Sequence, residues 1–199
     1  MLCLGWWDEL PPERILDAAR RLKDRSKARH LVISCHHRPS FELMARTPGL
    51  EGIMVRYNAA HPGAERDVFP LVANTNPGVI AFTATRWGSL LDPKLVPSGE
   101  PVPRASDCYR FVLTHPSVHT TLAGPKDGAE LDEAMAALDR GPMDPEELAW
   151  MKRVGLAVRG DTKAHRAMEQ IDRARSFLTG GGRRSPGQPA SDDLSPPLG

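Results

Sequence analysis

Two stretches of this chain have the make-up of ligand-binding loops. The first, Gly78-Val79-Ile80-Ala81-Phe82-Thr83-Ala84-Thr85-Arg86-Trp87-Gly88, begins as an apolar run of strand length and turns abruptly into a small, polar segment that ends in glycine. A buried parallel strand that delivers its C-terminal end into a loop reads this way. The second runs from Val118 through Leu122-Ala123-Gly124-Pro125-Lys126 into a helix-like segment from about Gly128 to Leu138. A strand, the Gly124-Pro125 turn, Lys126 and a helix N-terminus together make an anion site, because free backbone N–H groups and the helix dipole both favour phosphate.

Other residues could carry chemistry. Cys35-His36-His37, with Cys3 and Cys108 elsewhere, invites a metal reading. Adjacent histidines in an extended segment point to opposite sides, and no C-x2-C or H-x3-H spacing is present, so no metal site is expected. His36 or Arg38, at the C-terminal end of a strand, is the better placed to touch a ligand. Arg56-Tyr57-Asn58 reads in two ways: as an acid/base group in which Arg56 lowers the phenol pKa, or as a turn shaped by Tyr57 and Asn58. The turn is the expectation. Asp107-Cys108-Tyr109-Arg110 reads as a packing and surface-pair segment of a helix. Arg86-Trp87 reads equally as a lid or as a hydrophobic plug.

The elements that must position these residues follow from apolar periodicity. Strands are expected at Met1–Trp6, Leu31–Ser34, Gly52–Tyr57, Val79–Phe82 and Val118–Leu122. Helices are expected from Pro11-Pro12 to about Asp24, over Phe41–Ala45, from Ala64 to about Val72, over Ala105–Thr114, from Gly128 to Leu138 and over Asp144–Val158. In the last of these, Leu148, Met151, Val154 and Leu156 would form the apolar side. Strands alternating with helices call for a parallel α/β sheet covered by helices. No GxGxxG or GxxxxGK[ST] follows any strand, which argues against the common doubly wound nucleotide-binding folds. A charged helix is expected over 161–179, with Ala164, Met168, Ile171, Ala174 and Phe177 as a narrow stripe, and a disordered tail over 180–199.

Bulk composition narrows the classes. The 199 residues carry a formal net charge of +1, so no nucleic-acid partner is expected. No run approaches a membrane span, and none is expected. Three cysteines do not make a disulfide framework, which points to a reducing cytoplasm.

Three motifs in order resemble the C-terminal part of the aldo/keto reductases, a (β/α)8 TIM-type barrel family that reduces carbonyls with NADPH. They are Val55-Arg56-Tyr57-Asn58 through Val68-Phe69-Pro70, Gly78 through Gly88, and His115-Pro116-Ser117-Val118 through Glu133. The resemblance runs from about Met1 to Arg159 and covers strand four to strand eight of the barrel with its closing helix. It implies a partial barrel of about five parallel strands over 1–160. It also implies a cofactor set of Ser34 and Cys35 at the nicotinamide carboxamide, Phe82 stacked on the nicotinamide ring, Thr83, Thr85 and Gly88 at the pyrophosphate, Lys126 at the 2′-phosphate and Glu133 at the adenine side. Gly124 belongs to the same loop as Lys126. Cys35 replaces the family's usual asparagine, Met54 its glutamine, and Ala134 the asparagine beside the acid.

The family's proton donor is a tyrosine tuned by a lysine and an aspartate. These belong to strands two and three, outside the span of the resemblance, and Gly5 before Trp6 stands where the family has histidine before tryptophan. No catalytic residue is therefore assigned, and the chain reads as truncated relative to the family. Two functions follow: an NADPH-dependent oxidoreductase of carbonyl compounds, or a non-catalytic half-barrel that binds nucleotide or protein. Five of eight strands leave open sheet edges, so such a domain should aggregate, pair with another chain (a second copy among the partners) or curl into a smaller arrangement, and the isolated chain is expected to be poorly soluble or oligomeric.

Overall fold

The computed structural model describes residues 1–6 and 10–160. The charged helix and the tail expected over 161–179 and 180–199 lie outside the described residues. Five strands, β1 (Leu2–Trp6), β2 (Leu31–Cys35), β3 (Gly52–Arg56), β4 (Gly78–Phe82) and β5 (Thr120–Thr121), form one sheet. Every neighbouring pair is parallel, and the order is β1-β2-β3-β4-β5. An order that never reverses keeps all right-handed crossovers on one face, as in a barrel, whereas a doubly wound sheet reverses and is covered on both. The architecture is thus α/β and partial-barrel-like, as the alternating apolar runs imply.

The crossovers are α1 (Glu13–Asp24), α2 (Ser40–Ala45), the short pair α3 (Ala64–Asp67) and α4 (Phe69–Val72), and α5 (Ala105–Thr114). After β5 come α6 (Gly128–Arg140) and α7, helical over residues 145–160. Alternation along each strand sorts the side chains. Ile33, Cys35, Ile53, Val55, Val79 and Ala81 face the helices and join Phe41, Met44, Phe69, Phe111, Met151, Val154 and Val158 in one buried core. Full burial of each larger member contributes about 1.5–3 kcal/mol. The register Ser34↔Met54↔Ile80, with Arg56↔Phe82 one step further, places those residues on the helix-free face. That face is the interior side of a barrel wall.

Several expected boundaries move. The helix expected over 64–72 is broken at Val68, whose φ of −129° is not helical. Pro70 explains the break: it has no N–H and its ring crowds the preceding turn, so the chain restarts a helix with proline in its first positions. β5 is two residues long rather than five. Beside it, His119 N–H donates to the Val79 carbonyl (3.0 Å), while the Val79 N–H is accepted by the His119 ring Nδ1 (3.1 Å). A side chain there takes a ladder bond, because the Pro116-Ser117 turn carries the backbone away. On α7 the buried stripe is Met151, Val154 and Val158, and Leu156 is 71% exposed. Among the described residues no helix is long and apolar enough to cross a membrane.

Candidate functional site

The loop after β4 is held in an uncommon shape. Thr83, Arg86 and Trp87 have φ of 60°, 53° and 53°, and Gly88 follows at 84°. Each left-handed non-glycine residue costs about 1–2 kcal/mol, so three within five positions need strong external support. That support is visible. Asn58, fully buried, donates from Nδ2 to the Thr83 carbonyl (2.8 Å) and accepts the His61 N–H at Oδ1 (2.9 Å). Buried Arg86 donates from Nη1 to the Val158 carbonyl near the end of α7 (2.9 Å). Leu90, in the 3-10 turn that ends the loop, is completely buried. Asn58, just past the end of β3, therefore braces the β4 loop.

Tyr57 does not act as an activated phenol. Its ring is buried against Phe69, Phe111 and His115, and its hydroxyl donates to Glu65 (2.7 Å). Burial and then Glu65 push its pKa well above the ordinary value, the reverse of the effect Arg56 would have. The turn-shaping expectation for Asn58 holds, while Tyr57 is a core residue.

A cleft of about 860 Å³ opens along this loop, the loop after β5, and the first turns of α5 and α6. Phe82, Thr83, Thr85, Gly88, Gly124 and Glu133 all line it. Neither Gly88 nor Gly124 has an atom within 4 Å of where a Cβ would stand, so both leave open space at the wall. Phe82 contributes an aromatic face and meets His36 edge-on, centroids 5.9 Å apart. Arg86-Trp87 is neither the lid nor the plug as a unit: Arg86 is buried in the brace, and Trp87 stands 73% exposed at the cleft wall.

Three of the expected site residues lie elsewhere. Ser34 is half-buried on the helix-free face, two strands from β4. Cys35 is 2% exposed on the helix-covered face, where alternation puts it, with its Sγ against the backbone of His37 (3.3 Å to N). Lys126 is exposed and pairs with Glu130 (2.8 Å), which raises the lysine pKa and lowers that of the carboxylate. Glu130 also accepts the Lys126 N–H, and Asp127 caps α6 by accepting the Glu130 N–H (2.9 Å). Two carboxylates thus stand at the α6 N-terminus expected as an anion site, with Asp127 as its N-cap and Glu130 on the Lys126 N–H just before the helix.

Glu133 is fixed by α5. Its carboxylate accepts from Ser106 Oγ (2.6 Å) and Ser106 N–H (3.2 Å) and pairs with Arg104. Burial works to raise its pKa, but Ser106 and Arg104 outweigh that and hold it below the ordinary value. Arg104, Tyr109 and Glu130 line the cleft without having been singled out as site residues. The only sequence signals for them are the D-x-x-E spacing and the position of Arg104 just before a helix that follows a proline-rich connection. Asp107 and Arg110 are not a surface pair either; both are nearly fully buried and tie α5 to Arg140 and Glu147. Arg38 pairs with Asp67 (2.8 Å). Among the described residues no three His, Cys, Asp or Glu side chains are grouped to hold a metal.

No family model and no curated protein matches the sequence. Solved structures do match. An aldo/keto reductase from Klebsiella pneumoniae in complex with NADP and acetate superposes with a TM-score of 0.64 at 22% identity, over 77% of this chain and 58% of that one. The aldo-keto reductase from Klebsiella pneumoniae in complex with NADPH gives 0.62 at 23% identity, over 77% and 57%. The holo form of an aldo-keto reductase from Bacillus halodurans gives 0.60 at 16% identity, over 76% and 60%. The chain therefore spans about three fifths of the length of these structures and has, over its parallel sheet and covering helices, a fold similar to that of the aldo-keto reductases.

Proposed function

We propose that this chain forms the cofactor-holding part of an aldo/keto reductase-like, NADPH-dependent oxidoreductase acting on small carbonyl substrates. The supporting observation is one cleft in which Phe82, Thr83, Thr85, Gly88, Gly124 and Glu133 meet, six of the nine positions that the family resemblance assigns to NADPH. The residues suit the group. Phe82 offers a face for the nicotinamide ring. The braced turn from Thr83 to Gly88 and the open Gly124 give room and backbone donors for a pyrophosphate. At the adenosine end, the carboxylates of Glu130 and Glu133 are paired with Lys126 and Arg104. Lys126 meets a 2′-phosphate by exchanging Glu130 for it. NADPH, when bound, supplies the hydride; the chain binds and orients it and keeps its ring against Phe82. The reading takes residues 1–160 as the functional unit, in the cytoplasm.

The test is a fluorescence or calorimetric titration with NADPH and with NADH. Wild type should bind NADPH, Phe82→Ala should weaken it about tenfold, and Lys126→Ala should weaken NADPH while leaving NADH unchanged. Absence of NADPH binding by the folded protein, or wild-type affinity in Phe82→Ala, sinks the reading.

A second reading, a nucleotide-binding half-barrel without reductase activity, is supported by the state of the phenols. The chain has two tyrosines. Tyr57 is pushed up by burial and Glu65, and Tyr109 by burial, Cys108 and Glu130, whereas a proton donor to a carbonyl is tuned downward. Gly5 has open space where a Cβ would stand and brings no acid. NADPH binding without turnover of any aldehyde or ketone selects this reading.

A further inference from the structure

Arg56 is the last residue of β3 and pairs in register with Phe82, the last residue of β4. Alternation puts both on the helix-free face, above Met54 and Ile80. Neighbouring arginines all have their charge or donors engaged: Arg38 and Arg66 with Asp67, Arg86 with the Val158 carbonyl, Arg104 with Glu133. Arg56 is half-buried and makes no ion pair or hydrogen bond with any of the described residues. Burial and the like charge of Arg38 both lower its pKa, so its surroundings work against its charge. A part-buried cation next to a like charge and without a counter-ion destabilises a fold, and a chain that retains one places it where a ligand supplies the missing charge.

We propose that Arg56 anchors a carboxylate of the carbonyl substrate, so that the substrate is a short oxo acid rather than a neutral aldehyde or ketone. The inference rests on the NADPH-dependent reading for the word substrate; the anchoring of an anion by Arg56 does not. Position separates the two ligands. The loops after β4 and β5 are the ones assigned to the cofactor phosphates, and Phe82 is the wall assigned to its ring. Arg56 stands one strand to the other side of Phe82, about 5 Å away by strand spacing. A carbonyl held against a ring on Phe82 therefore has a guanidinium within reach of a carboxylate a few bonds away. The planar fork of arginine matches a carboxylate with two parallel hydrogen bonds, which lysine cannot reproduce.

The experiment titrates 4-oxopentanoate and, as its uncharged counterpart, 2-pentanone into the full chain with and without NADPH, with binding read by NMR shift changes or calorimetry. Wild type should bind 4-oxopentanoate, Arg56→Gln should weaken it at least tenfold, and Arg56→Lys should recover only part of the loss. Binding of 2-pentanone should be the same in all three. Because Arg56 has no partner among the described residues, the melting temperature of Arg56→Gln should stay the same or rise, and a fall would show a structural role instead. Equal binding of 4-oxopentanoate by wild type and Arg56→Gln, or none by wild type, overturns the proposal. So does a variant that loses NADPH or inorganic phosphate instead of the oxo acid, since Arg56 would then serve the cofactor. Wild type that binds the oxo acid through Arg56 but never binds NADPH would keep the anion anchor and sink the reductase reading.

Discussion

Glu147 is the residue on which the buried charge of this fold depends. Arg110, 4% exposed, directs Nη1 and Nη2 at the two oxygens of Glu147 (2.5 and 2.6 Å) and Nε at the Gly141 carbonyl (2.8 Å). The same carboxylate accepts the Asp144 N–H (3.0 Å), so it caps α7 while it neutralises α5. Hydrogen bonding from Arg110 holds its pKa down to about 2, against an ordinary value of 4.5, even though burial works the other way. A carboxyl depressed in the folded state stabilises the fold above its unfolded pKa and loses that contribution as pH falls through the folded one. The window is thus from about pH 4.5 down to about pH 2. Glu147→Gln should lower stability at pH 7 by about 1.5–3 kcal/mol, the range for a hydrogen bond to a charged group. Its melting temperature should then fall less steeply than that of wild type over that acid window, as followed by circular dichroism. Parallel acid profiles for the two proteins would show that the pair contributes nothing.

At the scale of elements, what could be read from the sequence is what local pattern determines. Apolar runs such as Ile53–Val55 and Val79–Ala81 face a helix layer, and their order along the chain is their order in the sheet. The cleft residues at the two strand exits were legible for the same reason, since a strand that ends in a small polar loop announces its mouth. Long-range partners were not legible. Nothing in the local pattern says that Arg86 turns inward to Val158, 72 positions away, or that Glu133 locks onto Ser106. Cys35 faces the helix-covered core because alternation decides which face a side chain takes, and a family match that assigns positions does not carry that information. An isolated glycine inside a helical pattern is a usable signal of close packing. Gly155 on α7 bears this out: a Cβ there would lie 2.2 Å from the Ala59 carbonyl oxygen and 2.3 Å from its carbon. Backbone cannot yield as a flexible side chain does, so Gly155→Ala must push α7 away from the loop after β3. The expected cost is about 2–4 kcal/mol by overpacking, read as a lowered melting temperature. A variant that melts with wild type would mean that α7 does not approach so closely.

For the sheet as a whole, the unresolved physical problem is β1. It is the first strand in the sheet order, and among the described residues nothing pairs with its outer side. The Leu2 N–H is bonded inward to His30 (2.9 Å), so alternation turns the backbone groups of Cys3 and Gly5 outward. β5, the other edge, is protected by being only two residues long. β1 has no such protection: Leu2-Cys3-Leu4-Gly5-Trp6 contains no charge and no proline, the two devices that normally keep an edge from templating another strand. The helix-free face beside it is open as well, with Cys3 and Gly5 exposed. We therefore expect a second copy to add its own β1 to this edge. In sedimentation at tens of micromolar, with reductant present so that exposed Cys3 cannot form a disulfide, the chain should run heavier than 21.8 kDa and shift toward that mass on dilution. Cys3→Lys places a charge on the edge and should move the equilibrium to the monomer without lowering the melting temperature of the diluted protein. A wild type that stays monomeric at about 100 μM would mean that the edge is covered in solution, and the self-association would be withdrawn.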